Sequence, residues 1–290
     1  MFSLRPPPIS IDEALSQLLA HIVALDSFES VPLDQAFGRI AAETVVSTID
    51  LPSTHNAAVD GYGVNSKRLA LVPSRPFKVV GVARAGHPFD GRVGKDEAIE
   101  IYTGSVMPSG VNCVAMHEHC ERNGNQVLVS SKLSKGSNMR PPGENLAKCE
   151  NAIIKGELIT AALIGQLASS GTDTIKVWQK LRVAVLSTGD EVVSVGKSVA
   201  KGQIFDANRP MLKAMMCNDN VELVDYGIVP DNLDALAYTY EEAVKTADVV
   251  ISSGGASDGV EDHTQNAMQK IGAKCVFWRL AMKPGRPMAV

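Results

Sequence analysis

Apolar residues in this chain gather into short blocks whose spacing changes from one part of the sequence to the next. The clearest block is "LRVAVLSTGDEVV" (181–193), an almost unbroken apolar run that breaks at Ser187, Thr188, Gly189, Asp190 and Glu191. "ADVVISSGGASDGVEDHT" (247–264) has the same build. Each run is rich in Val and Ile, too short for a helix, and ends in a Gly turn, which is how a strand buried in a parallel sheet reads. Between them lie a third such run, "VELVDYGIVPDN" (221–232), and two helical patterns. The alternation predicts an α/β domain with crossover helices. In the first of those helices Pro210 is expected at the first helical position, after Asn208 and Arg209. Its stripe of Met211, Leu212, Met215 and Met216 reads as core packing. The second, "LDALAYTYEEAVKTA", leads back to the strand before Gly254 and Gly255.

Upstream the periods differ. Ser10 and Glu13 are spaced as a capping box, and Ala14, Leu15, Leu18, Leu19, Ile22 and Val23 follow at helical spacing, so one helix face is expected to be buried. A helical turn around Asp34 stops at Gly38, and 39–65 reads as partly extended, broken at Pro52 and at Asp60-Gly61. From Phe77 to Ser130 four short strand patterns occur, with Asn123-Gly124 as a hairpin signal between the last two. Residues 134–159 are rich in Gly, Pro, Asn and charge without apolar period, the mark of an extended connection. Thr160 then caps a helix that Gly171 ends.

Composition narrows the classes. With 290 residues there is room for about two ordinary domains. A net charge of −4 gives no general pull toward nucleic acid or an anionic membrane. No apolar stretch approaches the roughly 20 residues needed to cross a bilayer. The N-terminus lacks the apolar core of a signal peptide. Five scattered cysteines without a C-x-x-C fit reduced thiols in a cytoplasm.

The chemistry gathers at the expected carboxyl ends of the parallel strands, where α/β folds bind ligands. Ser187-Thr188-Gly189 and Ser252-Ser253-Gly254-Gly255 are small turn residues whose N–H groups can cradle an oxyanion. Beside them stand Asp190, Glu191, Asp231, Asp258, Glu261 and Asp262. Carboxylates so close repel one another unless a cation sits among them, and with phosphate donors that cation is most often Mg²⁺. Lys283 and Arg286 in "KPGRP" offer positive charge for an anion. Gly-rich turns occur in any α/β protein, but three acidic strand ends beside a basic turn favour a site. Gly196-Lys197-Ser198 lacks the upstream Gly of a P-loop. His117 and His119, flanking Glu118 and followed by Cys120, alternate as on one face of a strand, more readily a surface coincidence than a zinc site.

Five short motifs, in order along the chain, resemble those of the molybdopterin molybdenumtransferase family, the MoeA and gephyrin E-domain type. They are "LPSTHNAAVDGYGV", "YTGSVMPSGVNCVAMHE", "STGDE" with "GQIFDANR", "SSGG" with Asp262, and "KPGRP". The resemblance implies an α/β molybdopterin-binding domain over 181–290 and a small β-rich domain over 47–133. It also implies an extended connecting domain built from 1–46 and 134–180. It implies insertion of molybdate into adenylylated molybdopterin, dependent on a divalent cation, with release of AMP and molybdenum cofactor. Asp60, Thr103, Glu191, Asp231, Asp262 and Lys283 are its site positions. Glu191, Asp231 and Asp262 would hold Mg²⁺, while Ser187, Thr188, Gly189, Ser253, Gly254, Gly255, Lys283 and Arg286 would bind the substrates. A homodimer with a composite site is expected: the connecting segment needs a surface to lie against, a second copy being the simplest, and of the two ways for Asp60 and Thr103 to meet Glu191 and Asp262, within a chain or across the dimer, the resemblance favours the second. A molybdopterin-adenylylating protein is a further expected partner. The family continues past a P-G-N-P turn into a C-terminal β domain that follows where this chain stops, so residues 1–290 alone are expected to insert no molybdenum. The alternative expectation is a non-catalytic molybdopterin-binding or scaffold protein.

Overall fold

The computed structural model describes residues 7–130, 132–255 and 263–290. The chain divides into two compact units, one of Pro32–Phe37 with Glu43–Ile175, the other of the segments before, between and after these.

Helix α1 (Ile11–His21) starts where the capping pair places it, with the Glu13 N–H donating to Ser10 Oγ at 3.1 Å. Its apolar face is not buried as the spacing suggests. Ala14 alone is fully covered, packed with Phe277 and Leu280, whereas Leu15 is 52%, Leu19 59% and Val23 89% exposed. The helix meets one narrow segment of its unit, and the apolar stripe outruns that contact.

The unit containing Glu43–Ile175 is built on a six-stranded mixed sheet. Its strands are β1 (Gly61–Val64), β2 (Phe77–Ala83), β3 (Glu97–Ile101), β4 (Cys113–Met116), β5 (Cys120–Asn123) and β6 (Gln126–Val129), ordered β4-β1-β3-β2-β6-β5. Helix α2 (Ser66–Leu71) follows β1. Both faces are buried, as the alternation requires: Ala98 packs with Tyr62, Val64, Phe77 and Ala115, while Ile99 and Ile101 pack with Val114 and Ala83 on the other side. Phe77 and Ala83, six apart, reach opposite faces because β2 shifts register between Val79 and Val82.

Strand β1 is not legible in the sequence, since two glycines in four residues read as a breaker. Close backbone approach demands the first of them: a Cβ at Gly61 would lie inside the Ala115 carbonyl. The β5–β6 hairpin forms, with Asn123 paired to Gln126, so its turn is centred on Gly124-Asn125, one residue beyond the Asn-Gly signal. Residues 134–159 are not structureless. Met139–Arg140 pairs with Asn56–Ala57, and Asn151–Ile153 with Val45–Val46. Helix α3 (Ala161–Ser169) is capped by Thr160 and followed by Gly171 at φ +81°.

The second unit holds β7 (Leu181–Thr188), α4 (Asn208–Met216), β8 (Val221–Val229), α5 (Leu233–Thr246), β9 (Val249–Ser253) and α6 (Thr264–Lys270). The three strands are parallel in the order β8-β7-β9, as expected for the α/β region. Leu186, Val229, Leu236, Tyr240 and Ala267 form its core. Two details of α4 differ from the sequence reading. Pro210 is its third residue, still within the first turn, where a missing N–H costs no intrahelical bond. Met211 and Met215 are 52% and 74% exposed, so the stripe is not core.

The strand order positions the site. The first of these three strands, β7, lies in the middle; α4 leads to β8 on one side, and α5 leads back across to β9 on the other. The β7–β9 boundary is therefore a topological switch point, where the crossovers diverge and leave a crevice at the carboxyl ends.

Candidate functional site

At that boundary Ser187 of β7 pairs in register with Ser253 of β9. Beyond them a cleft of about 230 Å³ opens, with Ser187, Thr188, Ser253 and Gly254 on its strand side. Glu191, Val192, Ile204, Phe205 and the start of α4 complete its walls. A larger groove of about 500 Å³ lies at the opposite, amino ends of the same strands. There Arg182 and Asp248 pair with each other at 2.8 Å, beside Glu29, Lys180 and Glu222.

The two hydroxyls that end β7 have different fates. Ser187 Oγ donates to Asp206 Oδ1 at 2.9 Å. Thr188 Oγ1 is buried and has no hydrogen-bond partner among the described residues. Gly254, at φ +101°, presses close to it: a Cβ there would fall 2.5 Å from the Thr188 carbonyl oxygen and 2.6 Å from its hydroxyl. Gly255, at φ +68°, has as little room, its Cβ position colliding with the Thr264 hydroxyl. Only residues without a side chain let β9 turn here.

Asp206 and Arg209 are the residues that sequence reasoning missed as site components. Asp206 is almost fully buried, accepts from the Arg209 N–H at 3.2 Å and pairs with the Arg209 guanidinium at 2.8 Å. It thereby caps α4 while holding Ser187. Burial alone would raise its carboxyl pKa, but Arg209 and Ser187 bring it below the usual range. Arg209 continues to Asp225 at 2.6 Å, which Lys213 and the Gly227 N–H also hold. Burial opposes ionisation of Asp225 as well, yet these donors pull its pKa down to about 2. The available signal was an Asp three residues before an Arg at a helix start.

Of the expected acidic residues, the described ones, Asp190, Glu191 and Asp231, do not form a cluster that could hold a metal by themselves. Glu191 lines the cleft, with its Oε2 2.5 Å from where a Cβ at Gly189 would be, so the carboxylate folds back over the turn. Asp190 Oδ1 accepts from the Asp231 N–H at 3.1 Å, joining the ends of β7 and β8 beside the cleft. Asp258, Glu261 and Asp262 lie outside the described residues. Among the described residues no three of His, Cys, Asp and Glu gather as a metal site. A hard cation such as Mg²⁺ usually takes one or two carboxylates, with water and substrate phosphate completing its shell. Glu191 at the cleft wall fits that demand, and Asp231 stands at the neighbouring strand end.

Lys283 and Arg286 line a different concavity of about 730 Å³, with Pro8, Leu280 and Met282. Asp60 and Thr103 belong to the other unit. The Thr103 N–H and O–H both donate to Asp60 Oδ1 at 2.7 Å, and these two bonds, the backbone one foremost, lower the Asp60 pKa. Such a doubly held carboxylate presents its second oxygen in a fixed direction. His117 is not on a strand; it opens a 3₁₀ turn, His117–His119, and its ring packs edge-on against Tyr62 at 5.2 Å.

Comparisons with known proteins point the same way over nearly the whole chain. Residues 9–171 match the family profile described as the MoeA N-terminal region, domains I and II, and residues 184–290 match that of a probable molybdopterin binding domain. A molybdopterin molybdenumtransferase of Haemophilus influenzae is 37% identical over 283 residues, covering 97% of this chain and 69% of that protein. One from a Nostoc species is 33% identical, covering 98% of this chain and 66% of its own length. A crystal structure of a molybdopterin biosynthesis MoeA protein from Pyrococcus horikoshii superposes with a TM-score of 0.83 at 31% identity, covering 98% of this chain and 71% of that one. The chain thus spans about two thirds of the length of the curated relatives it matches.

Proposed function

The chain belongs to the molybdopterin molybdenumtransferase family, transferases of molybdenum cofactor biosynthesis, and from that premise we propose that it inserts molybdate into adenylylated molybdopterin, releasing AMP and molybdenum cofactor. The observation that carries this reading is the cleft at the switch point: the hydroxyl-bearing end of one strand, a glycine turn at the end of its neighbour and the Glu191 carboxylate converge within the part of the chain that matches a molybdopterin binding domain.

In this reading molybdopterin and molybdate are substrates. The Gly254 and Gly255 turn and Thr188 bind phosphate oxygens, and Ser187, held by Asp206, keeps the strand end in place. Mg²⁺, carried by Glu191 and Asp231 together with Asp262, neutralises phosphate charge when bound. Lys283 and Arg286 attract the molybdate dianion, Arg286 with the planar fork that suits an oxyanion. Asp60, oriented by Thr103, acts on the reacting groups as a fixed carboxylate. The protein works in the cytoplasm as a homodimer whose site draws on both copies, and receives its substrate from a molybdopterin-adenylylating protein. Its domains are 1–46 with 134–180, 47–133 and 181–290, and the pairing of Val45–Val46 with Asn151–Ile153 supports the first of these, the connecting domain.

The test is AMP release from adenylylated molybdopterin in the presence of molybdate and Mg²⁺. Molybdate- and Mg²⁺-dependent release is expected, with Glu191→Gln slowing it more than about tenfold, the scale for a lost metal-positioning group. Tight molybdopterin binding without any AMP release by the full-length protein would instead identify a non-catalytic binder.

A further inference from the structure

We propose that His117 is a positioning residue for Asp60: its imidazole sets the charge beside that carboxylate, and so sets how readily an anionic substrate reaches it. This deepens the proposed function and rests on Asp60 acting on the reacting groups.

The strand register brings the two residues together. Gly61, the first residue of β1, pairs with Ile101 of β3 on one side and with Met116 of β4 on the other, both antiparallel. One step further along, Asp60 comes between Tyr102 and His117, and the His117 N–H continues the ladder to the Asp60 carbonyl at 3.3 Å. The imidazole is then held by rings from both neighbours of the acidic pair. It lies edge-on to Tyr62, two residues after Asp60, at 5.2 Å, and to Tyr102, next to Thr103, at 6.3 Å. The Asp60 carboxyl is held below its usual pKa by the Thr103 N–H foremost and by the Thr103 hydroxyl, and a charge on His117 adds to both.

The other charges around the imidazole are already placed. Glu100 accepts from the Tyr102 O–H at 3.1 Å with one oxygen and pairs with Arg122 at 2.6 Å through the other. Arg122 also reaches the Tyr62 hydroxyl at 3.4 Å, and Arg84 lies 5.6 Å over the Tyr102 ring. Glu118 and His119 follow on the same 3₁₀ turn, and both are exposed. Of the carboxylates across the sheet from His117, Asp60 is the one with no arginine paired to it among the described residues.

A bare carboxylate repels a substrate that carries phosphate, and repels molybdate as well. A protonated imidazole beside it offsets that charge, and a neutral one does not. Imidazole is the side chain that ordinarily makes this change between about pH 5 and 8. His117 therefore ties the approach of anions to pH: its charged form admits them, and its neutral form leaves the repulsion in place.

The experiment follows AMP release by the full-length protein with molybdate varied, from about pH 5 to 8, in the parent, His117→Gln and His117→Lys. Melting temperatures are read alongside. In the parent, KM for molybdate is expected to rise with pH. In His117→Gln, uncharged throughout, it stays at the parent's high-pH value, about two- to tenfold above the parent at the acid end, the scale for one solvent-screened charge acting on an anion. In His117→Lys, charged throughout, it stays near the parent's low-pH value, and kcat changes little in either variant. The same rise of KM with pH in parent and folded His117→Gln overturns the inference. So does a lowered melting temperature with an unchanged pH profile, since the imidazole would then serve only the packing of the two tyrosines. A loss confined to kcat overturns it too, because the charge would then act after the anion has arrived. A parent that releases no AMP at all defeats the functional reading itself and this inference with it, a result distinct from the others.

Discussion

At the scale of single residues, the cleft depends on positions where one atom more or less decides the outcome. Gly254→Ala would place a methyl group 2.6 Å from the Thr188 hydroxyl at a φ of +101°, so the chain must shift at the end of β9. The expected cost is about 1–3 kcal/mol of stability, together with loss of molybdopterin binding; denaturant unfolding and a binding titration read the two separately. Asp60 makes the opposite case, because it is exposed and its substitution leaves the fold within about 0.5 kcal/mol. Asp60→Asn removes the charge that the two Thr103 donors favour. If Asp60 acts on the reacting groups, AMP release falls more than about tenfold at unchanged melting temperature, and full activity in the folded variant would remove Asp60 from the mechanism.

At the scale of elements, the join between β7, β8 and α4 is electrostatic. Ser187, Asp206, Arg209, Asp225 and Lys213 form one chain of hydrogen bonds from the cleft to the outside of α4. Asp206→Ala removes one of the two carboxylates that hold Arg209, leaves the buried Ser187 hydroxyl without its acceptor and frees the α4 cap, which should cost about 1–3 kcal/mol. Asp225 supplies a pH test. Its pKa falls from the ordinary 3.8 to about 2 in the folded protein, so its contribution is present above about pH 4 and is lost as pH falls toward 2. Asp225→Asn should flatten the acid limb of the melting curve between those values, and an unaltered limb would show that the chain of bonds contributes nothing there. None of this network is legible in the apolar pattern, which sees the strands and helices but not the partners of polar residues across the sheet. The parallel strands, the helix caps at Ser10 and Thr160, the hairpin and the cleft-lining Ser187, Thr188 and Gly254 were all legible, because each rests on local spacing or turn chemistry. Strand β1 was hidden by its glycines. The burial of α1 and α4 was overstated, because period reveals an apolar face and not whether anything covers it.

At the scale of the whole molecule, the homodimer proposed above can be tested without a structure. An Asp60→Ala chain mixed with a Glu191→Ala chain, each in its full-length form, should recover AMP release if each pocket takes Asp60 from one copy and Glu191 from the other. Pockets built within a single chain would stay dead on mixing, and a monomer in light scattering at micromolar concentration would exclude the arrangement. The place of β7 between two partners has a consequence for time as well as for structure. Amides of Val183, Val185 and Leu186 sit in the centre of the described sheet, with strands on both sides, so their hydrogens exchange with solvent only when the unit opens as a whole. A ligand gripped at the end of that strand binds only the closed form, and slows this exchange by the factor 1 + [L]/Kd. The deuterium uptake of the central strand is thus a clock from which the affinity of the cleft can be read with no turnover at all.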